Sequence, residues 1–112
     1  ASVAAACADI ARAGLVARLM VDFSHGNSSK QFRRQLEVGA DVAAQLAAGE
    51  DRLIGVMIES HLLEGRQDLV AGQVPVYGQS ITDACLGWED SVHLLDQLAA
   101  AVRARRLVEA SA

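Results

Sequence analysis

The segment RLIGVMIESHLLEG, residues 52–65, is an apolar run that ends abruptly on Glu59, Ser60 and His61. Residues 52–59 are rich in branched side chains and lack a polar residue at every second position, a pattern typical of a strand buried on both faces. A carboxylate at the end of such a strand loses hydration, and this costs free energy unless a partner such as a cation compensates. Glu59 therefore requires a partner elsewhere in the fold.

The hydrophobic pattern on either side of this strand alternates between helix and strand. Residues 2–13 and 27–49 have helical spacing, and a glycine follows or ends each segment. GLVARLMVDF, residues 14–23, is a second apolar run, SITDACL, residues 80–86, is a weaker strand, and a helix follows Asp90. The predicted order is α, β, α, β, loop, β, α. Such alternation predicts an α/β fold with parallel strands joined by right-handed crossovers and covered by helices.

The two later helices have apolar stripes that predict their buried faces. One stripe comprises Phe32, Leu36, Gly39, Val42 and Leu46. The other comprises Val92, Leu95, Ala99 and Val102, with Leu94 and Leu98 widening it. Polar residues before the two helices, Asn27, Ser28, Ser29 and Asp90, are predicted N-caps. We also expect Trp88 to pack the start of the last helix onto the sheet, and the tail LVEASA, residues 107–112, to be frayed.

Polar side chains end each of the three predicted strands, and His25, Glu59 and Asp83 are among them. The carboxyl ends of parallel strands meet at one edge of a sheet, where ligands bind in α/β architectures. One imidazole and two carboxylates suit a divalent manganese, iron, cobalt or zinc ion. The alternative stays open that an aspartate at a strand end caps a helix, and that a neighbouring histidine is simply hydrogen-bonded.

Composition excludes several classes of protein. The chain has 112 residues, 52% of them hydrophobic and 21% charged, which predicts one globular domain. A net charge of −4 gives no electrostatic footprint for nucleic acid or an anionic membrane, and no apolar run is long enough to span a bilayer. Cys7 and Cys85 have neither zinc-knuckle nor disulfide-framework spacing. A reducing, cytoplasmic location is therefore expected.

Four motifs carry a family resemblance along most of the chain. MVDFSHGNSSKQF (residues 20–32), LIGVMIESHLLEGRQ (53–67), YGQSITDACLGWED (77–90) and LAAAVRARR (98–106) resemble the C-terminal part of class I, type alpha 3-deoxy-D-arabino-heptulosonate 7-phosphate (DAHP) synthases. The resemblance implies a (β/α)8 barrel transferase of the shikimate pathway that leads to the aromatic amino acids. It implies the condensation of phosphoenolpyruvate with erythrose 4-phosphate and the release of phosphate.

The resemblance also implies a ligand set for a divalent metal cation. The family holds its metal through the His of DFSH, the Glu of ESH and the Asp of TDAC, which are His25, Glu59 and Asp83 here, and through a cysteine near the start of the barrel. Neither Cys7 nor Cys85 lies in that cysteine motif, and both are expected to be packing thiols. Weaker candidates for contact with substrate, or for support of the ligands, are Asp22, Asn27 and His61.

The resemblance covers only part of the family's length. Residues 1–112 are expected to form the C-terminal third of the barrel, about three parallel β/α units preceded by a helix. The active-site lysine lies outside the matched motifs, so no catalytic residue is assigned within this chain. The open sheet edges of such a piece predict a homo-oligomer. The alternative function is a non-catalytic, truncated product that folds by self-association.

Overall fold

A computed structural model of the chain describes residues 2–29 and 31–111. It contains α1 (Val3–Arg12), β1 (Leu19–Asp22), α2 (Arg34–Ala47), β2 (Leu53–Met57) and α3 (Trp88–Ser111). The predicted mixed α/β class is confirmed. No helix in the described ranges combines the length and apolarity needed to cross a membrane.

The two strands pair in parallel, as their patterns predict. Leu19 lies opposite Leu53 and Asp22 lies opposite Met57, with an irregularity in register after Leu19. The Phe23 amide extends the ladder by donating to the Met57 carbonyl oxygen at 2.9 Å. Both strands therefore deliver the residues that follow them to the same edge of the sheet.

The prediction of a third strand at residues 80–86 is wrong. The described residues form a two-stranded sheet, and the backbone of residues 80–86 pairs with other segments through isolated bridges rather than a continuous ladder. The Ser80 hydroxyl accepts a hydrogen bond from the Thr82 amide at 3.1 Å, a local turn contact that competes with extended pairing. Leu86 pairs with the segment that follows β2, since its amide donates to the Glu59 carbonyl oxygen at 3.0 Å and its carbonyl oxygen accepts the His61 amide at 2.9 Å. Asp83 consequently lies on a turn beside the strand ends.

The predicted caps of α2 lie outside that helix. α2 begins at Arg34, and its N-terminus has no side-chain cap. Asn27 instead donates through Nδ2 to the Asp22 carbonyl oxygen at 2.8 Å, and Ser29 adopts a positive φ of 53°. Asn27 therefore supports the loop after β1 rather than the first turn of α2, and Ser29 lies in the same loop.

The core forms where α2 packs against α3 and the strands. Phe23, Leu86 and Leu94 are fully buried at its centre. A Cβ atom at Gly39 would overlap Leu94 Cδ1, so the absence of a side chain there lets the two helices approach closely. The prediction for the α2 stripe is right in part: Gly39, Val42 and Leu46 are buried, whereas Leu36 and Phe32 are half-buried and Phe32 precedes the helix.

The predicted buried face of α3 needs correction. Leu94, Leu98 and Ala101 are buried, whereas Val92 and Leu95 are 40% and 57% exposed. Leu94 is more deeply buried than Leu95 because Gly39 on α2 leaves space for the Leu94 side chain.

The predictions for the two ends of α3 are wrong. Trp88 begins the helix and is 62% exposed, so it does not pack the helix start onto the sheet. The tail is helical to Ser111 rather than frayed, and Ala112 lies outside the described residues. Arg105 anchors this part of α3 by donating to the carbonyl oxygens of Glu50 and Leu53 at 3.1 and 3.0 Å.

An ion pair before β2 makes stability depend on pH. The Arg52 guanidinium donates to both Glu50 carboxylate oxygens, at 2.9 and 2.6 Å, and lowers the pKa of Glu50 from 4.5 to about 2. Because the folded-state pKa is depressed, this stabilisation is present above pH 4.5 and is lost as the pH falls toward about 2. We expect the advantage of the wild type over Glu50→Gln in urea unfolding to shrink through that window. A constant difference between the two would contradict this.

Candidate metal site

Three side chains from separate segments meet beyond the carboxyl ends of β1 and β2. His25 follows β1 in a loop that Phe23 anchors in the core, Glu59 lies two residues after β2, and Asp83 is on the turn described above. Each of these residues offers one potential ligand atom, and those atoms lie within 4.8 Å of one another. The three residues predicted from the strand ends are therefore brought together.

The donor set and its spacing fit a divalent cation. His25 Nε2 lies 3.6 Å from Glu59 Oε1 and 3.4 Å from Asp83 Oδ2. Two ligand atoms that each bind a metal at about 2.1 Å are separated by about 3.0–3.4 Å at octahedral or tetrahedral angles. The two distances from His25 Nε2 are close to this range, and the three potential ligand atoms together lie within 4.8 Å of one another.

Asp22 fixes the orientation of the imidazole. Its Oδ2 lies 2.8 Å from His25 Nδ1, while its Oδ1 accepts the Ser24 amide at 2.8 Å. The hydrogen bond with His25 lowers the pKa of Asp22, and the same contact, with the negative charge of Asp22, raises the pKa of His25. With Nδ1 held by Asp22, the Nε2 atom faces Glu59 and Asp83. In metal sites, a carboxylate commonly bonds to the histidine ring nitrogen that does not bind the metal and thereby orients the ring.

Two further residues hold Glu59, and sequence reasoning did not find either of them. The Ser24 hydroxyl donates to Glu59 Oε1. The Gln35 side chain is fully buried and bonds to both backbone groups of Glu59. Gln35 precedes Gly39, Val42 and Leu46 at helical spacing, so a polar residue within the predicted buried stripe was the available signal.

The two weaker candidates lie apart from this cluster. Asn27 is exposed and bonds to the Asp22 backbone. His61 is exposed, and its Nδ1 accepts the Leu62 amide at 2.8 Å. β2 ends at Met57, so the alternation of side chains that would place His61 beside Glu59 does not extend to it.

A cavity of about 300 Å³ opens onto the cluster. Its lining comprises Ser24, His25, Glu59, Arg66, Thr82, Asp83 and Ala84. A larger, open groove of about 930 Å³ lies against α1 and β1, but its wall includes none of the three clustered residues. The smaller cavity is the better candidate for a reaction site because it combines ligand atoms with the guanidinium of Arg66.

Comparison with known proteins decides the family. The sequence profile of the DAHP synthetase I family matches residues 1–96. The chain belongs to this family. It is 61% identical over 100 residues to phospho-2-dehydro-3-deoxyheptonate aldolase of Haemophilus influenzae, with 89% of this chain and 28% of that protein covered. It is 62% identical over 95 residues to the Phe-sensitive aldolase of Escherichia coli K12, with 85% and 27% covered.

The fold has a close counterpart among solved structures of the DAHP synthetase I family. The phospho-2-dehydro-3-deoxyheptonate aldolase of Francisella tularensis SCHU S4 matches with a TM-score of 0.86 at 40% sequence identity. The match covers 92% of this chain and 30% of that one. The chain thus spans under a third of the length of these relatives.

Proposed function

We propose that the chain is the C-terminal part of a (β/α)8 barrel, in which β1 and β2 are neighbouring barrel strands. Its radius of gyration is 16.9 Å, whereas a compact domain of this length has about 13 Å. Met20 on β1 and Ile54 on β2 are each 64% exposed, although parallel strands are usually covered on both faces. The remainder of a barrel would cover these side chains. We propose separately that the chain forms a homo-oligomer.

The function that the site supports best is DAHP synthesis by the complete protein. In this reaction phosphoenolpyruvate condenses with erythrose 4-phosphate, and DAHP and phosphate are formed, the first step toward the aromatic amino acids. The observation that carries the proposal is the His25, Glu59 and Asp83 cluster at the carboxyl edge of a parallel sheet, in a chain of the DAHP synthetase I family. The family names of its relatives support the same reaction.

The three clustered residues are the proposed ligands of a divalent cation, which is manganese, iron, cobalt or zinc. When bound, such a cation supplies Lewis acidity that polarises the aldehyde of erythrose 4-phosphate. Asp22 keeps Nδ1 of His25 engaged and leaves Nε2 available to the metal. Ser24 holds one oxygen of Glu59. The cavity beside them is lined by Arg66, whose guanidinium donates to Asp68 at 2.6 Å and to the Thr82 carbonyl oxygen at 2.9 Å.

Metal removal tests this function in the complete protein that carries the chain. We expect phosphate release that requires both phosphoenolpyruvate and erythrose 4-phosphate, that stops after treatment with a chelator, and that returns when manganese is added. The physical reason is that the carboxylates alone cannot polarise the aldehyde. Full activity in a sample shown to be free of metal would contradict the metal role. The absence of phosphate release from the metal-loaded protein would contradict the function.

A further inference from the structure

Gln35 is a polar residue on the buried face of α2. It lies in the first turn of α2, and its side chain is 0% exposed. A buried amide that lacks hydrogen-bond partners is costly, so its partners indicate why the residue is tolerated there. Both of its partners belong to Glu59.

Two hydrogen bonds join the side-chain amide of Gln35 to the backbone amide and carbonyl groups of Glu59. Gln35 Nε2 donates to the Glu59 carbonyl oxygen at 3.0 Å, and the Glu59 amide donates to Gln35 Oε1 at 2.9 Å. The regular ladder between β1 and β2 ends with the Phe23 amide on the Met57 carbonyl oxygen. At Glu59 the Gln35 side chain therefore accepts the hydrogen bond of the backbone amide, and it shares the carbonyl oxygen with the Leu86 amide, which donates to that oxygen at 3.0 Å.

This contact fixes the backbone from which the Glu59 side chain extends. The Glu59 carboxylate lies beside Ser24 Oγ and 3.6 Å from His25 Nε2, and its side chain is only 20% exposed. α2 is itself held in the core by Val42 and Leu46. We propose that Gln35 is a positioning residue, which holds the backbone of Glu59 so that its carboxylate reaches the same metal as His25. This inference rests on the proposed metal site.

The test compares Gln35→Leu with Gln45→Leu in the complete protein. Gln45 lies on the same helix, but its side chain bonds only to the neighbouring Asp41, so it is a matched control. Manganese affinity is measured by calorimetry, and the visible absorption of the cobalt-loaded protein reports coordination geometry. Circular dichroism confirms folding. A purely structural role for Gln35 would lower stability without changing either metal readout of the folded protein.

We expect Gln35→Leu to weaken manganese binding by about 10-fold and to alter the cobalt spectrum, since loss of an outer partner of a ligand has effects of this order. Gln45→Leu should match the wild type. If Gln35→Leu does not fold, Gln35→Glu, which keeps an acceptor for the Glu59 amide but loses the donor, is judged by the same two readouts. A folded Gln35 variant with wild-type affinity and spectrum overturns the inference.

A His25→Ala variant measured in parallel separates the two proposals. If His25→Ala binds metal more weakly while the Gln35 variants behave like the wild type, the proposed metal site is supported and only the positioning role of Gln35 is overturned. Unchanged metal binding in His25→Ala overturns the site, and the positioning role with it.

Discussion

His25→Ala is expected to reduce the manganese affinity of the complete protein by more than about 100-fold. Loss of a residue that only supports a metal ligand costs at most about that much, and His25 is itself a proposed ligand. His25 Nε2 is the atom that faces both carboxylates, at 3.6 Å from Glu59 and 3.4 Å from Asp83. Without the imidazole, this cluster keeps only its two carboxylates, and the nitrogen donor that favours a transition metal is gone. Isothermal titration calorimetry with manganese measures the change.

His93→Ala is the matched control for that experiment. His93 lies on the exposed side of α3 and is not part of the cluster. The control should bind manganese like the wild type. Equal affinities for wild type and His25→Ala would show that the metal is held elsewhere.

Leu94→Ala is expected to lower the free energy of unfolding by about 3 kcal/mol, within the range for large-to-small changes in a core. Leu94 is fully buried and fills the space left by Gly39 on α2, so its truncation leaves a cavity between the two main helices. Urea denaturation of the complete protein, followed by circular dichroism, provides the measurement.

The neighbouring Leu95→Ala is the control, because Leu95 has the same side chain but is 57% exposed. Its effect should stay within about 0.5 kcal/mol, as is usual for surface changes. A larger loss from Leu95→Ala than from Leu94→Ala would mean that α3 presents its other face to the core.

The sequence predicted the parallel pairing and the proximity of His25 to Glu59 because both depend on short, strongly patterned segments. The apolar runs before Asp22 and Glu59 are continuous or, where Arg18 interrupts the first, nearly so, and both end in polar residues. In a parallel pair those ends must meet. Asp83 lies near His25 although the strand predicted at residues 80–86 does not form, since a turn brings it there.

The face of α3 could not be predicted from its own residues. Leu94, Leu95 and Leu98 offer two overlapping apolar stripes, and burial is decided by the helix that packs against them. Gly39 is the residue that selects Leu94, through a contact distant in sequence. The role of Gln35 was missed for a similar reason, because its partner is the backbone of a residue on another segment.

Anomalous scattering from crystals of the manganese-loaded complete protein tests the central claim most directly. The account predicts one strong peak, with His25 Nε2, a Glu59 carboxylate oxygen and an Asp83 carboxylate oxygen each within about 2.0–2.3 Å of it. A peak bound by other residues, with His25, Glu59 and Asp83 free of metal, would contradict the account.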